Sequence, residues 1–301
     1  METRINNINK NHWLEWYSPQ QIEALKNCVE CPRKCGIDRF TEYGYCKSPS
    51  LPKLSSANIH HGEEPPISGT RGSGTIFFAG CNMSCVYCQN YPISQLCHGS
   101  EISLQDLVEK MLMLQNKGAH NINIVTPSHA TIAIEVALKK AKEIGLKIPI
   151  VYNSSGYDSI TQLQKLRGLI EIYMPDIRYQ DKQTAKKFSD AEDYPEINRK
   201  ALKEMYNQVG NLQINSEGIA TKGLLIRHLV LPNNKANTKN AIEFIEKEIS
   251  PKTYLSLMAQ YFPAYKANRT TSINRKITRE EWNQARNMFE DSGLNGWVQD
   301  G

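Results

Sequence analysis

Short apolar runs alternate with helical patterns along most of the chain. The apolar runs are typical of buried strands, and apolar positions spaced three and four apart are typical of amphipathic helices. The predicted strands are residues 75–79, 122–125, 148–152, 169–174, 224–231 and 254–258. Predicted helices follow after residue 103, over 134–141, over 159–166, in a long stretch ending near 209, over 242–249, and after residue 278.

This order gives six β-then-α units. Strands that are apolar on both faces and joined by helices predict a parallel sheet with right-handed crossovers. Six units are too few for a closed eight-stranded barrel, so the sequence predicts an α/β fold with a partial, TIM-like (β/α)6 barrel. Ligands of such folds bind at the carboxyl ends of the strands.

The N-terminal quarter has a different pattern. Ser18 is predicted to cap a short helix, with Pro19 at its first position and Gln21 completing a capping box, and the helix should end near Asn27. Residues 28–74 show neither the helical nor the strand pattern of apolar residues, and they carry many Cys, Gly, Pro and His residues. We therefore predict an N-terminal helix and Cys-rich metal-binding region over 1–73, followed by the barrel over 74–301.

Composition narrows the class of protein. Of the 301 residues, 40% are apolar and 22% charged, which is typical of a globular protein, and the net charge of +5 is mild. We expect binding neither to nucleic acid nor to membranes. The N-terminus lacks the apolar stretch of a signal peptide, so we expect a cytoplasmic protein. In that reducing compartment the eight cysteines should bind metal rather than form disulfides.

Two cysteine groups are candidate metal sites. Three cysteines in a C-x3-C-x2-C spacing follow the first barrel strand, where three thiolates can bind three irons of a cubane cluster and leave the fourth iron open. A zinc site with a distant His, or three unrelated core cysteines, is the alternative. A second group has four cysteines, which suits zinc or an auxiliary [4Fe–4S] cluster. The first group is Cys81, Cys85 and Cys88; the second is Cys28, Cys31, Cys35 and Cys46.

The stretch GCNMSCVYCQN resembles the signature of the radical S-adenosylmethionine (AdoMet, SAM) superfamily. CVECPRKCG, HHGEEPPISGTRGSGTIFFAGC, IVTPSH, MPDIRY, IRHLVLP and LMAQYFP extend the resemblance to activating enzymes of the pyruvate formate-lyase type, in particular the PflX-like branch. The resemblance implies a partial (β/α)6 barrel, a [4Fe–4S] cluster and AdoMet bound to the open iron. It also implies an electron donor such as flavodoxin or ferredoxin, and reductive cleavage to a 5′-deoxyadenosyl radical that abstracts hydrogen from a substrate.

The resemblance also implies roles for side chains near the cofactor. Each has a structural alternative: packing beside the cluster, a polar turn, or an ion pair at the strand ends. The cofactor-binding candidates are Tyr87 near adenine, Thr126 and Ser128 near the ammonium, Asn153 and Ser155 near the ribose, and Arg227. Thr126–His129 stands where many relatives carry Gly-Gly-Glu, which departs from the family pattern. Asp176 and Arg178 match an Asp-x-Lys that lines the AdoMet and peptide site, and they are the catalytic candidates.

Three functions remain open from the sequence. The most concrete is activation of a glycyl radical enzyme, with a protein or peptide substrate entering through a gap bordered by Asp176, Arg178 and residues 260–263. A second is radical modification of another peptide or a small molecule. The third is a non-catalytic iron–sulfur or zinc binding protein.

Overall fold

Strands and helices alternate along residues 16–300, the part of the chain that the computed structural model describes. The strands are β1 (Lys53–His60), β2 (Ser73–Phe78), β3 (Ser100–Glu101), β4 (Ile122–Val125), β5 (Ile150–Ser154), β6 (Ile172–Pro175), β7 (Gln213–Ile214), β8 (Ala220–Leu229), β9 (Tyr254–Met258) and β10 (Asn295–Gln299). The helices are α1 (Pro19–Lys26), α2 (Pro65–Ser68), α3 (Tyr91–Ser94), α4 (Leu104–Asn116), α5 (Thr131–Glu143), α6 (Ile160–Lys165), α7 (Lys182–Ser189), α8 (Tyr194–Val209), α9 (Thr238–Phe244) and α10 (Arg279–Glu290). A π-helical turn, Ile245–Ile249, continues α9.

The strands form one mostly parallel, open sheet in the order β10-β9-β8-β6-β5-β4-β2-β1-β3. Pairing is parallel from β2 to β10, whereas β1 runs antiparallel to β2 and β7 antiparallel to β8. Within the described chain, β10 and β3 each pair with a single strand, so the sheet does not close. This architecture confirms the predicted α/β fold and is consistent with a partial TIM-like barrel.

Both faces of the central strands are buried, as the continuous apolar runs predict. One face packs against helices such as α4 and α5 through side chains including Ile76, Ile124 and Tyr152. The other face carries Val151, Met174 and Leu225, which pack with Ile67 of α2. The polar residues at the strand ends are therefore held by a rigid frame.

The helix starts predicted at Ser18, after residue 103 and after residue 278 are confirmed. Ser18 and Gln21 form the capping box of α1, and Thr278 and Glu281 form the capping box of α10. Ser103 caps α4, where Asp106 completes a third capping box. Each pair satisfies backbone N–H groups that a helix start leaves without partners.

Three of the differences between the structure and the sequence prediction change the description of the fold. Residues 53–60, predicted to lack regular structure, form β1 and join the barrel sheet. The long helical stretch ending near 209 is two helices, because Asp190 adopts a left-handed conformation with φ of 49° and ends α7. A seventh parallel strand, β10, follows the six predicted ones.

Between α1 and β1 the described chain, residues 27–52, forms turns and loops only. The predicted division of the chain after residue 73, and metal binding by the region before it, stay predictions; residues 1–15 of that region lie outside the described part. Across residues 16–300, none of the helices has the length and apolar character needed to span a bilayer.

Candidate functional site

The loop that carries Cys81, Cys85 and Cys88 begins directly after β2, at the carboxyl end of the parallel strands. The Met83 backbone N–H points at Cys81 Sγ across 3.4 Å. Burial raises the pKa of the Cys81 thiol, and the charges of the Cys85 and Cys88 sulfurs raise it further. Three cysteines therefore share one loop at the sheet edge, although as placed in residues 16–300 they do not enclose a metal ion.

Two hydroxyl groups bond to this loop. Ser189 Oγ, at the end of α7, donates to Cys85 Sγ at 2.9 Å, and Ser94 Oγ lies 3.0 Å from Cys88 Sγ. Ser189 is fully buried. Hydrogen bonds to cluster sulfurs are among the means by which a protein sets the reduction potential of an iron–sulfur cluster.

A charged network lies beside the loop. Asp176 follows β6, and its carboxylate accepts from Arg178 Nη2 at 2.5 Å and from Arg227 Nε at 3.0 Å. Arg178 also directs Nη1 toward Cys85 Sγ, 3.6 Å away. Burial alone would raise the pKa of Asp176, but the guanidinium groups of Arg227 and Arg178 hold that pKa below its usual value. The carboxylate is therefore ionised and fixes both arginines.

The end of β5 supplies further polar groups. Asn153 Oδ1 accepts from Arg227 Nη2 at 2.7 Å. Ser155 Oγ is buried and makes no hydrogen bond within the described chain. Gly156 has φ of +72°, and a Cβ there would lie 2.4 Å from the Asp176 carbonyl oxygen. Glycine thus allows the turn to pack against Asp176, and Ser155 presents a hydroxyl without a partner.

The segment Thr126–His129 ends β4 and is held by the protein itself. Thr126 has φ of +60°, and its N–H donates to the Asn153 carbonyl. Burial raises the pKa of Asp158, and the hydroxyl of Ser128 opposes that rise, so Ser128 lies beside this carboxyl group. His129 is buried and lies 3.0 Å from the Ala79 carbonyl through Nε2. Burial and then the charge of Arg39 lower the pKa of His129 to about 4, so the ring is neutral.

Tyr87 is 4% exposed and belongs to an aromatic cluster. Its hydroxyl accepts from Tyr179 at 2.6 Å, and its ring meets Tyr261 edge-on with centroids 5.7 Å apart. Tyr179 also contacts Ser189, which bonds to Cys85. The Tyr87 hydroxyl is therefore linked to the sulfur of Cys85 through the hydroxyl groups of Tyr179 and Ser189.

A cavity of about 210 Å³ brings several predicted residues together, namely Tyr87, Cys88, Asp176, Arg178 and Arg227. Thr126, Ser128, Asn153 and Ser155 do not line it, although Asn153 reaches it through Arg227. A second cavity, of about 500 Å³, shares Gln89 and Gln260 with the first. The predicted loop residues Tyr261 and Phe262 line this second cavity.

Glu63 and Glu64 are site residues that the sequence analysis missed. Their carboxylates lie 3.9 Å from Arg227, with 9% and 3% of the side chains exposed. Burial raises the pKa of both groups, opposed by the charge of Arg227. Two consecutive acidic residues followed by two prolines were the available signal, but nothing local places them beside a residue of β8.

The four N-terminal cysteines also lie near one another. Cys28, Cys31 and Cys46 are buried, and Cys35 is exposed. Burial raises the pKa of Cys31 to about 12, and the charges of Cys46 and Cys28 contribute to that rise. Over residues 16–300, no three His, Cys, Asp or Glu side chains are gathered tightly enough to enclose a metal ion. Metal binding at these four cysteines stays a prediction.

An open parallel sheet with three cysteines in the loop after its first parallel strand defines an α/β protein with a candidate iron–sulfur site. The sequence model of the radical SAM superfamily matches residues 75–245. This match covers more than half of the chain, so the chain belongs to the radical SAM superfamily and is a radical SAM enzyme.

Individual proteins are also similar to it. An uncharacterized protein of Methanocaldococcus jannaschii is 29% identical over 296 residues, covering 93% of this chain and 82% of the relative. The structure of SuiB from Streptococcus suis bound to S-adenosylmethionine matches with a TM-score of 0.51 at 13% identity, over 73% of this chain and 48% of SuiB. SuiB bound to its precursor peptide SuiA matches with a TM-score of 0.50 at 13% identity, over 73% and 46%. The chain thus spans about half the length of these solved structures, which show a shared fold.

Family membership implies a [4Fe–4S] cluster and AdoMet, and the residues present fit both groups. Cys81, Cys85 and Cys88 form no disulfide and supply three thiolates on one loop. Ser155 Oγ and Arg178 Nε are buried and without hydrogen-bond partners in the described chain. A polar ligand at the strand ends would satisfy such groups, which are costly to leave unpaired.

Proposed function

We propose that this enzyme activates a glycyl radical enzyme, as do the activating enzymes of the pyruvate formate-lyase type that its sequence resembles. The observation that carries the proposal is that Cys88 and the Asp176–Arg178–Arg227 network line the cavity of about 210 Å³. The second cavity, of about 500 Å³ and called the groove below, adjoins it through Gln89 and Gln260. When bound, the cluster and AdoMet supply reductive cleavage to a 5′-deoxyadenosyl radical, which abstracts hydrogen from the substrate. The side chains of this chain bind and orient the groups involved.

Their roles follow from the network. Asp176 holds Arg178 against the cysteine loop and Arg227 against Asn153. The positive charge of Arg178 beside Cys85 offsets the negative charge of the thiolates. Ser155 does not line the cavity of the described chain, and we propose that its unpartnered hydroxyl binds the ribose hydroxyls of AdoMet when the cofactor is present. These residues therefore serve the cofactor side of the cavity, while Gln89 and Gln260 border its exit toward the groove.

The groove supports a polypeptide as substrate. It is lined by the aromatic side chains of Phe262 and Trp282 and by the cations Lys276 and Arg279. Phe262 is 44% exposed. A surface that combines exposed aromatic rings with charged groups is typical of sites that bind peptides. The groove directly borders Gln89, the residue after Cys88, so a bound peptide would lie next to the cluster site.

The proposal includes further partners. Reductive chemistry at the cysteine loop needs a low-potential one-electron donor, for which we propose flavodoxin or ferredoxin. We place the enzyme in the cytoplasm, because thiols of this number stay reduced there. Nucleic acid and membranes have no part in the proposal.

The test is anaerobic reconstitution of the full chain with iron and sulfide, followed by reduction in the presence of AdoMet and a glycyl radical enzyme. We expect 5′-deoxyadenosine and a glycyl radical signal in electron paramagnetic resonance (EPR) spectra. Stimulation of 5′-deoxyadenosine formation only by a small metabolite would show the activase proposal to be wrong, while leaving the radical SAM assignment intact.

A further inference from the structure

The N-terminal cysteine segment, defined here as residues 27–52, packs against the loop that carries the three family cysteines. Arg33 lies between Cys31 and Cys35 in sequence, and its Nε donates to the Asn82 carbonyl oxygen at 2.8 Å. Asn82 directly follows Cys81. The Arg33 guanidinium also stacks on the Tyr45 ring at 3.8 Å. One side chain thus connects the two cysteine groups.

A backbone contact reinforces this connection. Gly80 has φ of +89°, and a Cβ built there would lie 2.4 Å from the Cys46 carbonyl oxygen. The chain at Cys46 therefore touches the chain directly before Cys81, at a distance that only glycine allows. Beside this contact, Lys47 Nζ donates to the Gln95 carbonyl at 3.2 Å, and Gln95 Nε2 donates to the Met83 carbonyl at 3.1 Å.

A buried ion pair anchors the same segment to the sheet. Arg39 Nη1 lies 2.7 Å from Glu30 Oε2, with 3% and 2% of the side chains exposed. Arg39 also donates to the His129 carbonyl at 2.9 Å, and Glu30 Oε1 accepts from the Ile132 N–H at 3.3 Å. Breaking a buried pair of this kind is strongly destabilising, so the position of the segment on the sheet is well defined.

The segment has its buried ion pair but no regular secondary structure to stabilise it. Residues 27–52 form no helix or strand, and the four cysteines form no disulfide. A metal bound by four thiolates commonly supplies the folding energy that such a small region lacks.

We propose that Cys28, Cys31, Cys35 and Cys46, which as placed in the described chain do not enclose a metal ion, are drawn together by a metal centre that shapes the Cys81–Cys88 loop, so that the two sites load in a fixed order. The N-terminal centre forms without the family site, whereas the family site requires the N-terminal centre. Arg33 and the Gly80–Cys46 contact transmit this dependence. The second half of the proposal rests on the cluster assigned to Cys81, Cys85 and Cys88.

The first test compares metal content in anaerobically reconstituted full-length variants. Iron, zinc and sulfide per chain are measured together with the AdoMet-perturbed EPR signal. We expect the Cys81→Ala/Cys85→Ala/Cys88→Ala variant to keep the N-terminal metal. We expect the Cys28→Ser/Cys31→Ser variant to lose most of the metal at both the N-terminal site and the family site. A full AdoMet-perturbed signal in the latter, or a folded but metal-free triple variant, would overturn the proposal.

The second test keeps all seven ligands, so misfolding of a cysteine variant cannot explain the result. Arg33→Ala removes the bond to Asn82, and Gly80→Ala forces Cys46 away from the loop. We expect Arg33→Ala to keep the N-terminal metal, and both variants to lose family-site iron severalfold. The matched controls are Arg286→Ala, an exposed arginine, and Gly118→Ala, which has φ of +87° and no atom closer than 3.9 Å to the new Cβ.

Full metal loading of the family site in both Arg33→Ala and Gly80→Ala would show that these contacts do not couple the two metal sites. Iron content is measured independently of AdoMet cleavage. An ordered loading of metal without any 5′-deoxyadenosine would therefore uphold this inference while contradicting the enzymatic role.

Discussion

Arg227 meets a single oxygen of Asp176, Oδ1: Nε donates to it at 3.0 Å, and Nη2 forms an ion-pair contact with it at 2.9 Å. The two residues pair across neighbouring strand ends. The other oxygen, Oδ2, accepts from Arg178. One carboxylate therefore balances two guanidinium groups that are both largely buried.

Replacing Asp176 by Asn should strongly destabilise the protein. The change leaves Arg178 and Arg227 without this counter-charge, although Glu63 and Glu64 lie 3.9 Å from Arg227 and offset part of the loss. We expect a loss of about 3 kcal/mol in the free energy of unfolding, at the lower end for a broken buried pair. Urea unfolding of the anaerobic protein measures it. As a control, Glu204→Gln removes the partner of the exposed Arg167 and should cost less than about 1 kcal/mol. Equal losses in both variants would show that the Asp176 network contributes no special stability.

Arg178→Ala should make the cluster harder to reduce. The guanidinium lies 3.6 Å from Cys85 Sγ, and removing a positive charge beside a cluster lowers its reduction potential. A redox titration followed by EPR should show a more negative midpoint potential than in the wild type and in Arg167→Ala. The sequence analysis predicts instead that Arg178 acts on the substrate, and this role would give a different result. It requires an unchanged potential and normal uncoupled AdoMet cleavage, with only substrate-dependent turnover reduced.

The six central strands and their helices could be predicted because each strand is a continuous apolar run between helical stripes. The edge strands β1 and β10 could not. Residues 295–299, NGWVQ, contain only two large apolar side chains, and residues 53–60 are mostly polar or exposed. Such strands owe their conformation to backbone pairing with β9 and β2. This pairing does not require an alternating apolar pattern in the sequence.

The candidate site, too, could be predicted only in part from the sequence. The cysteines and the strand-end polar residues follow from position along the chain, because carboxyl ends of parallel strands meet at one edge. The orientation of a side chain depends on partners distant in sequence. Ser128 lies beside Asp158, and Glu63 and Glu64 reach Arg227 from the connection between β1 and β2. No pattern around these residues encodes those partners.

Cys85→Ala should abolish the AdoMet-perturbed EPR signal of the reconstituted protein. The proposed cluster takes one thiolate from this loop for each of three irons, so none is spare. Cys97→Ala is the matched control, because Cys97 is also buried and free but follows the loop without belonging to its motif. We expect the control to keep the signal. Persistence of the signal in Cys85→Ala would contradict the assignment of the cluster to this loop.

The buried residue His228 should make stability depend on pH. Its ring is fully buried, with Nδ1 2.7 Å from the Ile177 carbonyl and Nε2 3.0 Å from Thr238 Oγ1. Burial lowers the pKa of His228 to about 4, against 6.5 for a free histidine. Between these values the unfolded chain takes up a proton that the folded chain does not. Stability is therefore complete above pH 6.5 and falls as the pH drops toward 4.

For one such histidine, lowering the pH from 7.5 to 5.0 should cost about 2 kcal/mol of unfolding free energy. His228→Asn removes the titrating group, so its stability should fall less than that of the wild type over the same interval, by about this amount. The exposed His98→Asn variant is the control and should keep the wild-type dependence. His129, whose pKa is also about 4, should leave a residual slope in His228→Asn that becomes smaller when both histidines are replaced. Urea midpoints at the two pH values measure each effect. Parallel stability curves for wild type and His228→Asn would mean that folding does not lower the pKa of His228.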